Sequence, residues 1–173
     1  MIRSLPLNVR WRLRTRALIA LLFGAYLGAL TGLFVIKDPA FFLQQCSELN
    51  WDQLGQYTRY ANYIPGRTLA YYGTLQENFG TGVRNVGANL FGFLPFGFLL
   101  PLLNDRYRHA GRLARAAMLL SATFEVFQLL TGVGSFDVDD LLLNSAGAVL
   151  GFFALEWLSA RRERAPYRAA SFR

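Results

Sequence analysis

Residues 17–36 read ALIALLFGAYLGALTGLFVI, a run without a single charge. As an α-helix rising about 1.5 Å per residue, a run of this length covers the roughly 30 Å hydrocarbon core of a bilayer. A helix that is apolar all round has no face to offer water, so this stretch makes a membrane-spanning helix the first expectation. The run is too long for the core of a secretory signal, and the IKDPAFF that follows contains no small-x-small cleavage site. An uncleaved anchor is therefore expected.

Three further runs repeat the pattern with interruptions: 86–103, then 113–131 with Arg115 and Glu125 inside it, then 141–160 with Glu156. The 53% hydrophobic and 15% aromatic content is rich for a soluble chain of this size. The fold class expected is all-α: a polytopic membrane protein, one domain over 1–173, built as a bundle of four transmembrane helices. The segment 37–84 between the first two helices should carry one or two short helices lying at the membrane surface. It is dense in rings with polar tips, among them Phe41, Phe42, Trp51, Tyr57, Tyr60, Tyr63, Tyr71, Tyr72 and Phe79, and is broken at Pro65-Gly66. Such rings favour the headgroup level of a bilayer; a lid gripping a ligand is the sharper reading of the same residues.

The net charge of +7 could point to nucleic acid, but the basic residues are distributed as membrane topology requires. Arg3, Arg10, Arg12, Arg14 and Arg16 precede the first helix; Arg106, Arg108 and Arg112 lie between the second and third; Arg161, Arg162, Arg164, Arg168 and Arg173 follow the fourth. The other two connections hold Lys37, Arg59, Arg67 and Arg84 alongside most of the acidic residues. The positive-inside bias then predicts both termini in the cytoplasm of a bacterial cytoplasmic (inner) membrane, with no nucleic-acid partner. Cys46 is the only cysteine and His109 the only histidine, so no intrachain disulfide and no zinc set of those residues can form.

Small-residue stripes occur on the first helix (Gly24, Gly28, Gly32) and on the fourth (Gly147, Gly151), where they let helix backbones approach closely. Packing within the chain is the default expectation, a homo-oligomer the alternative. Pro95, in the middle of the second span, cannot donate to the Phe91 carbonyl, which predicts a kink or local unwinding.

Polar residues inside the spans share one depth. Asn85 and Asn89 occupy one face in the outer half of the second helix, Glu125 and Gln128 the outer half of the third, and Asp140 and Asn144 the outer half of the fourth, just after Asp137 and Asp139. A carboxylate facing lipid costs about 2.5–3.5 kcal/mol on insertion scales, so these faces should turn toward one another. The eight residues are expected to line an outward-facing acidic pocket. The competing structural reading makes one aspartate a helix cap and the amides ties between helices.

These residues also carry a resemblance. NVGANLFGFLPFGFLLPLL, FEVFQLL and FDVDDLLLNSAGAVLGFF, in that order and covering roughly residues 84–153, resemble VanZ-like membrane proteins. The resemblance implies a small helical integral membrane protein of the cell envelope in the context of resistance to the glycopeptide teicoplanin; it supplies a context and no reaction. Onto this chain it carries Asn89, Pro95, Gly97, Glu125, Gln128, Asp137, Asp139, Asp140, Asn144 and Gly147. One departure stands out: an arginine common in the family shortly before the aspartates is absent from Gly132-Val133-Gly134-Ser135. The acidic groups would then depend on Arg84, Arg67 or a bound cation.

Three functions fit the pattern. A binding protein would use the pocket for an envelope headgroup, glycan or peptide stem, and excess carboxylate favours amines and hydroxyls over anions. An enzyme on a lipid-linked phosphate would use Asp137, Asp139 and Asp140 to hold magnesium or another divalent cation, with Glu125 as acid or base. A proton-coupled carrier would use Glu125.

Overall fold

The structure is a computed structural model that describes residues 13–36, 38–48, 54–74 and 79–170. The described residues form helices α1 (Leu13–Val35), α2 (Pro39–Ser47), α3 (Leu54–Tyr57), α4 (Arg67–Thr74), α5 (Phe79–Leu103), α6 (Ala110–Thr131) and α7 (Val138–Ala170). Four of them, α1, α5, α6 and α7, are long and apolar enough to cross a membrane. The protein is an all-α multi-pass membrane protein, a four-helix bundle as the hydropathy predicts. Short links of 104–109 and 132–137 join antiparallel neighbours, and α2, α3 and α4 gather at the end where α1 and α6 finish and α5 and α7 begin.

The spans are longer than the apolar runs. Helix α5 begins at Phe79, so Asn85 is well inside it, and α7 continues past residue 160 to Ala170 through the basic stretch RRERAPYRAA, Pro166 included. Backbone hydrogen bonding does not stop where hydrocarbon does, and the arginine, glutamate and alanine at 161–165 are good helix formers. Among the described residues the first outer connection holds three short α-helices, where one or two short helices were expected. Asp38 starts α2 by accepting the N–H groups of Ala40 and Phe41 at 3.0 and 3.1 Å, with Pro39 at the first helical position. Trp51, Lys37, Asp52 and Glu77 lie outside the described residues, as do the arginines before residue 13.

The unwinding expected at Pro95 is absent, since α5 stays helical through both Pro95 and Pro101. One turn before Pro95, the Tyr26 hydroxyl of α1 donates to the Gly92 carbonyl at 2.7 Å.

Helices α5 and α7 touch backbone to backbone. A methyl group on Gly147 would lie 2.2 Å from the Leu90 carbonyl oxygen, one on Gly151 2.0 Å from that of Leu94, and one on Gly97 1.7 Å from that of Ala148. Lipid tails are as apolar as leucine, so helices associate in a bilayer largely through such close van der Waals contact. The α1 stripe behaves differently from its expectation: a methyl on Gly24, Gly28 or Gly32 would meet nothing within 4 Å. The opposite, larger face of α1 makes the contact, with Phe34 packed between Phe93 and Phe124 at ring-centroid distances of 5.8 Å each. Phe23 reaches Phe96 at 5.8 Å.

The outside of the bundle is apolar. Leu21, Phe91 and Leu119 are 70%, 73% and 71% exposed. So large a set of exposed apolar side chains is tolerable in lipid and not in water. At the far end of the bundle, Arg161 lies 3.8 Å over the Trp157 ring, an amphipathic pair suited to a membrane boundary.

Candidate functional site

The polar residues occupy the end covered by α2–α4. There the outer segment pairs with the link into α7: Asn62 N–H donates to the Phe136 carbonyl at 2.7 Å, and Val138 N–H donates to the Asn62 carbonyl at 3.0 Å, an isolated parallel bridge. Gly132 ends α6 with φ +69°, and a side chain there would strike the Tyr57 ring, which lies against it. Tyr63 stacks on Phe136 at 5.4 Å. Part of the aromatic outer segment therefore packs on the bundle, while Tyr60 and Tyr71 remain exposed.

The three aspartates face three ways. Asp137 caps α7, its Oδ1 accepting the Asp139 N–H at 2.8 Å and the Asn62 amide at 2.9 Å, while its Oδ2 accepts the Thr68 hydroxyl at 2.6 Å. Asp139 is only 1% exposed and turns back to α4. Its Oδ1 accepts the Gly66 N–H and its Oδ2 those of Thr68 at 2.9 Å and Leu69 at 3.3 Å. The first N–H groups of a helix have no partner within it and carry partial positive charge, which a buried carboxylate satisfies. The local sequence allows this because Pro65-Gly66 makes the turn, with Gly66 at φ +83°. Asp140, half-buried, faces α5: its Oδ1 accepts the side-chain amides of Asn85 at 3.1 Å and Asn89 at 2.6 Å.

Deeper in the bundle, Glu125 is 1% exposed and its Oε2 accepts the Asp137 N–H at 2.8 Å. Gln128 donates to the Phe34 carbonyl near the end of α1. Asn144 is fully buried and donates to the Ser121 hydroxyl at 2.8 Å, and its Oδ1 has no hydrogen-bond partner among the described residues.

The eight residues named from sequence share one end of the bundle and hydrogen-bond to different partners. Asn85 and Asn89 meet Asp140; Glu125 meets the backbone at Asp137; Gln128 and Asn144 face other partners. Asn62 and Thr68 belong to the network around Asp137, Ser121 pairs with Asn144, and none of the three was singled out. Ser121 lies one turn before Glu125 on the polar stripe of α6, a periodicity visible in the sequence, whereas nothing local distinguishes Asn62.

Asp137 and Asp139 are met by N–H and O–H donors, and Arg67 and Arg84 are both exposed. These donors come from the outer segment, at Asn62, Gly66, Thr68 and Leu69. Among the described residues no group of three or more His, Cys, Asp or Glu is arranged to hold a metal ion.

Tyr72 of α4 stands beside this cluster. Its phenol is raised above the ordinary tyrosine value, first by burial and then by the negative charge of Asp140 and Asp137.

The VanZ/LLP1 family model matches residues 22–159, most of the chain and all four spans at least in large part. The chain belongs to the VanZ/LLP1 family. Among curated proteins it is similar to Protein VanZ of Enterococcus faecium, 37% identical over 70 residues, a match that covers 39% of this chain and 42% of that one. No solved structure matches the chain. For this VanZ/LLP1 member, the matched region contains α4, α5, α6 and the described contacts of the acidic cluster.

Proposed function

We propose that the covered end of the bundle faces the outside of a bacterial cytoplasmic membrane, with both termini in the cytoplasm, and that the chain binds the polar head of a cell-envelope ligand there. Asp140 carries this reading. Asp139 is buried beneath α4 and Asp137, itself partly exposed, caps α7 and holds Asn62 and Thr68; Asp140 and its partner Asn85 are both partly exposed. Two amides hold one Asp140 oxygen, which fixes the carboxylate in place at the edge of the cluster. A fixed carboxylate in a weakly screened setting selects an amine or hydroxyl and repels a bare anion. Glycans, peptide stems and amine-bearing lipids of the envelope offer such groups. The similarity to a protein named VanZ supports an envelope setting and, with it, the context of glycopeptide resistance.

Native mass spectrometry of the purified full-length protein tests the reading. The expected result is a retained envelope lipid or glycan that disappears in Asp140→Asn. Equal retention by Asp140→Asn and the unsubstituted protein would remove Asp140 from the site.

A further inference from the structure

Helices α4 and α5 enclose a groove to which none of the eight acidic and amide residues contributes. It is a cavity of about 390 Å³, within the size range of small-molecule sites. Its walls are almost wholly apolar, with Leu69 and Tyr72 on α4 facing Val83, Val86, Leu90 and Phe91 on α5, and no described residue lining it is charged.

Glycines carve this space. Tyr72 packs so tightly on Gly82 that a methyl group on the glycine would lie 2.5 Å from the tyrosine Cβ, which pins α4 to the first turn of α5. Elsewhere the two walls stand apart. A methyl group on Gly87 would have only the Phe91 ring nearby, at 3.9 Å, and one on Gly73 would meet nothing within 4 Å. The helices are clamped at one point and lack, beside it, the side chains that would fill the seam.

The α5 wall belongs to the membrane-spanning stretch Gly80–Leu103, at the end where that span begins. Val83 and Phe91 are 55% and 73% exposed there, so the groove opens onto the surface that lipid covers. Ordered water in a cavity needs several polar partners, which walls of this kind do not supply. An empty trough forfeits the dispersion contacts of its lining. A hydrocarbon chain needs no polar partner, and the leaflet around α5 presents it at a concentration that drives occupancy by mass action.

We propose that the α4–α5 groove binds one acyl chain of a glycerophospholipid from the leaflet at the covered end of the bundle. The chain completes the packing that Gly73 and Gly87 leave open, so lipid as well as Tyr72 fastens α4 to the span. Headgroup chemistry takes no part in this site, because no described lining residue carries a charge. The site is separate from the one proposed at Asp140 and does not depend on it.

The test uses the full-length protein reconstituted in nanodiscs containing phosphatidylethanolamine and phosphatidylglycerol with identical chains, followed by native mass spectrometry of retained lipid. Gly87→Leu and Gly73→Leu fill the groove from its two walls without a backbone clash, and Gly28→Leu is an equally open control on α1. The expected result is one retained phospholipid per protein, of either headgroup in the proportion supplied. Its retention should fall about tenfold in Gly87→Leu and in Gly73→Leu and stay unchanged in Gly28→Leu and Asp140→Asn. An unsubstituted protein that retains no phospholipid, or a dimer that carries none, would overturn the proposal. So would undiminished retention in both groove-filling variants. Loss of lipid in Asp140→Asn with retention in both groove-filling variants would overturn the groove and leave the reading of Asp140 intact. A second measurement needs no substitution: phospholipid returned to the delipidated protein should slow amide exchange over 69–74 more than over 113–124 in α6, and equal slowing of both would overturn the proposal.

Discussion

Gly147 of α7 lies directly against the carbonyl of Leu90 in α5, close enough that a β-carbon would sit 2.2 Å from the oxygen. The oxygen belongs to helical backbone and cannot turn aside, so Gly147→Ala must push the two helices apart. Overpacking of this kind costs about 1–3 kcal/mol. The same change at Gly28, where nothing lies within 4 Å, should be neutral or slightly stabilising through helix propensity alone. Thermal unfolding of the two variants in detergent checks the contrast.

Asn144 and Ser121 form an isolated polar pair in the interior of α6 and α7. Ser121→Ala strands the Asn144 amide and should destabilise by about 1–3 kcal/mol, the cost of an unmet buried donor. Removing both polar groups in Ser121→Ala/Asn144→Leu should recover part of that loss, because it also removes an oxygen that has no partner among the described residues. A double-mutant cycle by equilibrium unfolding measures the coupling directly.

Tyr72 reports the charge at the acidic cluster. Its phenol is raised by burial and by Asp140 and Asp137, so the neutral form is favoured in the folded state. The resulting contribution to stability is present below the ordinary tyrosine pKa of about 10 and is lost as pH rises through the raised value. Asp140→Asn should lower the Tyr72 titration toward the ordinary value in ultraviolet difference spectra, read against a Tyr72→Phe background. No movement would place the phenol outside the field of Asp140.

Cys46 gives a direct readout of orientation, being the sole cysteine and exposed on α2 at the covered end. A membrane-impermeant maleimide should label it in intact spheroplasts. Labelling only after permeabilisation would place that end in the cytoplasm and reverse the proposed topology.

The four spans were legible because a bilayer imposes a long, nearly uncharged signature on each. Their polar faces were legible too, since Asn85 and Asn89, Glu125 and Gln128, and Asp140 and Asn144 repeat at helical spacing. Partner choice was not. Whether Gln128 meets an aspartate or the Phe34 carbonyl depends on how α6 is rotated against α1, and helix rotation leaves no mark in local sequence. Likewise, the glycines of α1 and α7 read alike, yet only those of α7 meet another backbone, because the bulky face of α1 fills its side of the bundle. The role of Asn62 and Thr68 required a contact spanning some seventy residues, beyond any periodic pattern.

The pairing of Asp139 with the start of α4 is what holds the outer segment over the acidic cluster, and amide hydrogen exchange in nanodiscs measures it most directly. The amides of Asn62, Gly66 and Thr68 should exchange slowly in the unsubstituted protein. In Asp139→Ala they should exchange rapidly while those of 113–124 in α6 stay protected. Fast exchange at these positions in the unsubstituted protein, or protection that survives Asp139→Ala, would contradict the account.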